Sequence, residues 1–248
     1  MAAIVRHTHV MRLVAWNCCE KFATNYIHLR DLNFDVAVIA ECGRLEDDAL
    51  QSRALTSSFV QPVPGSSKHL AVFAQEPWSV TPHPEIPAAP GLLPMAVSGP
   101  VTFTLLGFWG VDPTMFGSYT SQLSHVISHV LPLVQGRVVL AGDFNAPIAS
   151  TLVAHAENVR RLKEHHLVSA YTATRRPDAP LEPTYFHRLR EEHPFHIDHV
   201  FVPESWATHL QMTVGGYQQW VASRRSDHVP LLVDIDTSAT AVTGQAAS

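Results

Sequence analysis

Charge is scarce in this chain. Asp, Glu, Lys and Arg make up 16% of its 248 residues, and the acids leave a formal net charge of −5. That excludes the globally basic profile of a protein that grips duplex nucleic acid by composition alone. Cysteine is scarcer still: Cys18, Cys19 and Cys42 cannot build an even disulfide framework, which suits a reducing compartment. No stretch approaches the roughly 18 uninterrupted apolar residues of a membrane helix. The first residues lack the apolar core of a secretory leader, so a cytoplasmic protein with no membrane span is expected. Internal repeats and domain linkers are also missing. What the chain does have is apolar content, 46% of its residues, with mean hydropathy +0.04. It therefore reads as globular rather than disordered. One domain over residues 11–236 is expected, after an N-terminal extension at 1–10 and before a small polar tail at 237–248 expected to be disordered.

Strand-like and helix-like stretches alternate. "MRLVAWN" (11–17), "DVAVIAE" (35–41) and "HLAVFAQ" (69–75) read as buried strands, the second with cover on both faces. Between the first two, Phe22, Tyr26, Leu29 and Leu32 recur at helical spacing. Seven of the 18 prolines lie from Pro77 to Pro100, which predicts edge strands and turns there and no central strand. "VTFTLLGFW" (101–109) resumes strand character. Asp112 before Pro113 predicts a helix start, with Met115, Tyr119, Leu123, Val126 or Ile127, and Val130 as its inward stripe and Pro132 near its end. "RVVLAGD", a polar helix over 155–166, "IDHVFVP" and "DHVPLLVDI" complete the pattern.

Polar residues punctuate the strand ends. Asn17 follows "RLVAW", Glu41 follows "VAVIA", Asp143 and Asn145 follow "VVLAG", Asp198 opens "DHVFVP", and Asp227 and His228 precede the last apolar run. A carboxylate abutting a buried strand is costly unless it is paired or holds a cation. Four carboxylates at one rim repel each other, and a hard divalent cation resolves that. The ligands are oxygens, so Mg²⁺ or Mn²⁺ is expected over zinc. A His with an Asp beside it can move a proton or hold charge. Asp143 and Asn145, two apart, should project to one side of an extended chain, one handling a proton or a metal water and the other holding a substrate oxygen. Phosphoester hydrolysis suits this equipment.

In that order, Asn17 in "WNCCE", Glu41 in "VAVIAEC", "GDFN", "HIDHVF" and "RRSDHVPLLVDI" resemble the five motifs of the endonuclease/exonuclease/phosphatase superfamily. That is the group of deoxyribonuclease I, the abasic endonucleases, neutral sphingomyelinases and inositol-polyphosphate phosphatases. The resemblance spans residues 11–235 and points to a poorly characterised bacterial branch. It implies a four-layer α/β sandwich, two mixed β-sheets packed face to face with helices outside, and a site at one end. It further implies Glu41 as principal Mg²⁺ ligand with Asn17 and Asp227 beside it. Asp143 resembles the residue that activates or positions water, Asn145 the one that holds phosphate, and Asp198 with His228 the Asp–His pair. Which of Asp143 and His228 takes the proton stays open. One departure stands out: where the family often carries Tyr or His at the end of the central strand, this chain has Trp109, which donates a hydrogen bond but shuttles no proton at neutral pH.

Other residues weigh less. His7 with His9, and His165 with His166, have no metal-partner spacing and read as solvated surface; the cysteines read as core filler. Arg225 lies two before Asp227, and His196 two before Asp198, so both are candidate substrate contacts along with Trp109. Two enzymatic readings follow: a metal-dependent phosphodiesterase or nuclease acting by attack of water, or a small-molecule phosphatase or phosphodiesterase for a nucleotide, sugar or lipid head group. A noncatalytic binding module is the third. The acidic balance favours a phosphoester or short single-stranded nucleic acid over undamaged duplex, and a monomer is expected.

Overall fold

The computed structural model describes residues 10–43, 57–146 and 153–242. One six-stranded sheet runs β13-β14-β1-β2-β4-β3, from β1 (Val10–Asn17), β2 (Val36–Ala40), β3 (Ser57–Pro62), β4 (His69–Ala74), β13 (Leu210–Val214) and β14 (Leu231–Asp236). The other runs β5-β6-β7-β8-β12-β9, from β5 (Ser79–Pro82), β6 (Leu92–Ser98), β7 (Phe103–Trp109), β8 (Val138–Asp143), β9 (Leu167–Ser169) and β12 (Asp198–Pro203). A two-stranded ribbon of β10 (Tyr185–Phe186) and β11 (Pro194–Phe195) stands apart. Each large sheet holds one parallel pair, β1 with β2 and β7 with β8, and is otherwise antiparallel. Both sheets are therefore mixed.

The strands read as apolar runs because both faces are covered. Leu13, Ala15, Val36 and Val38 meet Leu105, Val139, Ala141 and Val200 in the layer between the sheets. Their alternates turn outward: Val14, Trp16, Ala37 and Ile39 pack under α1 (Phe22–Asp31), against Phe22 and Leu29. Next in chain order comes α2 (Pro113–Phe116); on the opposite side Leu106, Phe108 and Leu140 pack under α3 (Tyr119–His125) and its continuation, and under α4 (Val153–Glu164), against Leu123, Ile127 and Leu162. Period-two alternation thus feeds three apolar layers, and the result is the expected four-layer sandwich.

Three expectations need correction. The proline-rich stretch holds an interior strand: β6 lies between β5 and β7. Pro94 is tolerated because β5 stops at Pro82, and the Pro94 carbonyl accepts from His83 N–H at 3.1 Å just past that end. The helix begun at Asp112, whose side chain caps Thr114 N–H, breaks at Gly117 (φ 80°) and restarts at Ser118. Met115 is consequently 60% exposed and outside the inward stripe, whereas Leu123 and Ile127 are buried. The tail forms helix α6 (Thr237–Val242), following α5 (Ala170–Thr174) in chain order, with Asp236 accepting from Ser238 and Ala239 N–H. Residues 1–9, 44–56 with the whole of "RLEDDALQSR" (44–53), 147–152 and 243–248 lie outside the described residues.

Candidate active site

Topology brings the polar residues together. Parallel pairing aligns the C-terminal ends of β1 and β2 (Asn17 opposite Ala40, with Glu41 next) and of β7 and β8 (Trp109 opposite Asp143). Antiparallel β12 begins at that same level, Asp198 opposite Asp143, and the Asp227–Pro230 segment leads into β14 beside the end of β1. Gly142 lets β8 approach β7 there: its φ is 141°, and a Cβ would lie within van der Waals overlap of the Phe108 carbonyl.

The inner half of this rim is buried and tightly tied. His228 Nδ1 lies 2.8 Å from Asp198 Oδ2, and Nε2 lies 4.0 Å from Asp143 Oδ2. Asp143 accepts from Asn17 Nδ2 at 2.9 Å and from the Asn145 backbone N–H at 2.8 Å. Asn145 sits beside Asp143 through a left-handed turn (φ 49°), which corrects the extended-chain expectation; its Nδ2 reaches Gly110 O at 2.9 Å and Asp143 at 3.3 Å. Ser226 Oγ donates to Asn17 O and accepts from His228 N–H. Thr184, fully buried, accepts the N–H groups of Ile197 and Asp198 at its hydroxyl, both at 3.0 Å, and its carbonyl accepts from Val229 N–H. One threonine thereby fixes the backbone beside both members of the Asp–His pair.

These contacts set the charges. Burial raises the Asp143 carboxyl to about 7, with Asp198 adding to the effect and His228, Asn17 and Asn145 opposing it. For His228 burial works downward, but Asp198 and Asp143 outweigh it and raise the imidazole to about 10. Asp143 is thus poised near neutrality while His228 holds its proton.

The outer half is more open. Glu41, at φ 51°, pairs with Lys68 Nζ at 2.6 Å, and Glu20 lies 3.8 Å from the same ammonium. Burial raises the Tyr185 phenol, followed by the charges of Asp227, Asp143 and Glu41, so these three carboxylates act on one point. Tyr185 packs on His228 (ring centroids 4.6 Å apart), and Phe195, half exposed, lies 6.1 Å from Tyr185. Asn17 Oδ1 accepts from Cys19 N–H and keeps a second lone pair. Glu41, Asp227 and Asn17 Oδ1 are all oxygen donors, the ligand chemistry that Mg²⁺ or Mn²⁺ takes. Ligating atoms of Asp143, Asp198 and His228 also lie within 4.8 Å of one another, although the Asp198–His228 hydrogen bond already occupies two of those groups.

Of the three expected substrate contacts, one lies beside the site and two are engaged with other side chains or backbone. Trp109 is a wall of the intersheet core that also lines a cavity beside Glu41 and Asn145. His196 does not share an open face with Asp198, because β12 starts only at Asp198; its ring is buried on Tyr171, with Nδ1 against the Glu182 carbonyl. The Arg225 guanidinium lies over the Trp220 ring, 5.4 Å from its centroid. All three cysteines are free, and burial raises Cys19 to about 11 and Cys42 to about 12, as befits inert thiols. Sequence reading missed Lys68, Tyr119, Tyr185 and Thr184. Lys68 immediately precedes a buried strand, the signal that found the carboxylates; Tyr119, Tyr185 and Thr184 carry no such mark.

The chain matches the family model described as "Endonuclease/Exonuclease/phosphatase family" over residues 66–228. Solved structures with the same fold include the endonuclease domain of TRAS1, a telomere-specific non-LTR retrotransposon (16% identity, 92% of this chain and 99% of that one, TM-score 0.66). An AP endonuclease from Archaeoglobus fulgidus is similar at 12% identity, covering 91% of this chain and 99% of its own, TM-score 0.70. A 3′ phosphatase, NExo, from Neisseria, bound to product DNA hairpin, is similar at 17% identity, 91% and 99% coverage, TM-score 0.66. No curated protein sequence matches. No helix among the described residues is long and apolar enough to cross a membrane.

Proposed function

The chain belongs to the endonuclease/exonuclease/phosphatase family, whose members hydrolyse phosphoester bonds, and from that premise we propose a divalent-metal-dependent phosphodiesterase or nuclease. The observation that carries this reading is the buried Asp198–His228–Asp143 chain, with two groups driven to opposite protonation roles. At neutral pH the His228 imidazolium, oriented by Asp198 through Nδ1, presents Nε2–H to a phosphoryl oxygen. Asp143, poised near 7, takes the proton of the attacking water. The new bond joins that water oxygen to phosphorus as the bond to the leaving oxygen breaks in line. Trp109 cannot supply the proton that the leaving oxygen needs. Tyr119 is the candidate donor by position, since it lines the cavity beside Glu41 and Asn145 and carries a phenol proton at neutral pH. Burial and then Asp143, Asp112 and Glu41 raise that phenol and hold the proton more tightly.

Glu41, Asp227 and Asn17 would hold the Mg²⁺ or Mn²⁺, whose chemistry when bound is neutralisation of charge on the phosphoryl oxygens. Lys68 balances Glu41 otherwise, and metal binding must displace that contact. Asn145 has both amide hydrogens engaged, so holding a phosphate oxygen means giving up its longer contact to Asp143.

Substrate size is the finer part of the reading. An acidic chain with few exposed basic runs favours a short or single-stranded nucleic acid, or a small phosphoester, over undamaged duplex. The Tyr185–Phe195 shelf beside His228 offers a stacking surface to either. Three free cysteines, Cys18 and Cys42 of them buried, suit action in the cytoplasm. A panel of abasic duplex, single strands, bis-p-nitrophenyl phosphate and phosphorylated metabolites with Mg²⁺ or Mn²⁺ tests the proposal. Turnover of at least one class is expected; binding that weakens steeply as salt rises marks a duplex substrate and a weak salt dependence a small phosphoester, while no turnover of any class leaves a noncatalytic binding module.

A further inference from the structure

Next to the reacting groups is a cavity of about 300 Å³ that extends beyond the residues given roles above. Glu41, Lys68 and Asn145 form its inner edge, so whatever occupies it is attached to, or in contact with, the phosphate held at the site. Its outer walls differ in kind from that edge. Trp109 and Val111 are buried, Phe116 is half-buried against the intersheet core, and Tyr119 turns its ring to the same space. The mouth is closed from two sides: Met115 on α2 reaches the turn at Gly65, where a Cβ would stand 3.7 Å from the Met115 Cε. Met115 is 60% exposed, and a thioether side chain of this kind adapts to what lies beneath it.

We infer that this cavity is a subsite for one planar, polar-edged ring, a nucleobase, on the nucleoside whose phosphate lies at His228. Aromatic walls prefer a flat partner to a puckered one. Polar groups are placed for the ring's edge. Trp109, which lines the cavity, has a buried indole N–H with no acceptor among the described residues, and a ring nitrogen that reaches it would remove that deficit. Asp112, held ionised by its hydrogen bonds to Thr114, lines the mouth and can accept from an exocyclic amine. At the lower limit of small-molecule sites, the volume has ample room for one ring system, which fits a nucleotide or a single nucleoside phosphoester. This rests on the hydrolase reading for the phosphate's position, while the ring's binding stands on the cavity alone.

The test is binding of adenosine, which carries no phosphate, to the metal-free full chain, followed by saturation-transfer NMR and compared with methyl glucoside as a puckered control. Adenosine should bind at millimolar concentration and the glucoside should not. Phe116→Ala and Met115→Trp should each weaken adenosine binding by about fivefold or more, the first by removing an aromatic wall and the second by filling the mouth. Met115 is exposed, so its variant tests the site even where Phe116→Ala perturbs folding. No adenosine binding, equal binding of the glucoside, or unchanged affinity in Met115→Trp overturns the subsite. Adenosine binding that follows the variants in a protein that hydrolyses no phosphoester removes the hydrolase reading and leaves the subsite in place.

Discussion

Two cation–carboxylate pairs lie at the same rim, and they differ in burial. His228 and Asp198 meet with 5% and 1% of their side chains exposed; Lys68 and Glu41 meet with 36% and 15%. The inner pair is enclosed by a serine and a threonine that satisfy its backbone, so its geometry is set before substrate arrives. The outer pair joins a flexible, half-exposed ammonium to a carboxylate, a contact that solvent screens and a metal can exchange. One rim thus holds a fixed proton-handling half and an exchangeable charge-handling half.

The comparison breaks most visibly at the inner half. His228→Ala should lower kcat by ~10²–10⁴-fold in a steady-state assay, the usual contribution of a positioned acid–base group; a near wild-type rate would make His228 structural. At the outer half, EDTA should abolish turnover and Mg²⁺ or Mn²⁺ restore it. Glu41→Ala should stay folded, having lost one of several mutually repelling carboxylates, yet lose at least ~10–100-fold in Mn²⁺ affinity by titration calorimetry, the range seen for mere outer-sphere partners.

A smaller effect isolates how the inner pair is held. Thr184→Val strands two buried N–H groups and should cost on the order of 1–3 kcal/mol in chemical denaturation, with a fall in kcat and little change in KM; Thr184→Ser should restore both. Equal behaviour of the valine and serine variants would detach Thr184 from the Asp–His pair. Lys68→Ala should change stability least, by about 0–1 kcal/mol, because its pair is partly exposed. A larger loss would mean that the outer half is as rigid as the inner one.

How much of this was legible in the sequence follows from the same physics. Buried strands of parallel pairs end abruptly, so Asn17, Glu41 and Asp143 stood out as polar residues closing apolar runs. The four layers came from the family resemblance; the apolar pattern by itself marked buried strands, and both faces of β1, β2, β7 and β8 are indeed covered. Long-range partners were not. That Lys68 would find Glu41, or Thr184 would reach Asp198, depends on strand order that no local pattern encodes. His196 misled because spacing along the chain fixes a face only within a regular strand, and it precedes β12. Pro94 misled because one missing donor excludes a strand from the interior only if a partner is waiting for it.

The most direct measurement is the titration of the His228 ring in the metal-free protein, followed by NMR of labelled histidine with His228→Ala as the assignment control. Asp198 and Asp143 raise the folded value from 6.5 to about 10, so this group's stabilisation is complete below pH 6.5 and is lost as pH rises toward about 10. The buried Asp143 carboxyl, raised from 3.8 to about 7, acts in the same direction: the folded state favours its protonated form and loses that advantage between those values. The predicted result is an imidazolium that persists through neutrality and titrates well above pH 8. A ring that loses its proton at or below pH 6.5 would contradict the assignment of His228 as donor and Asp143 as base.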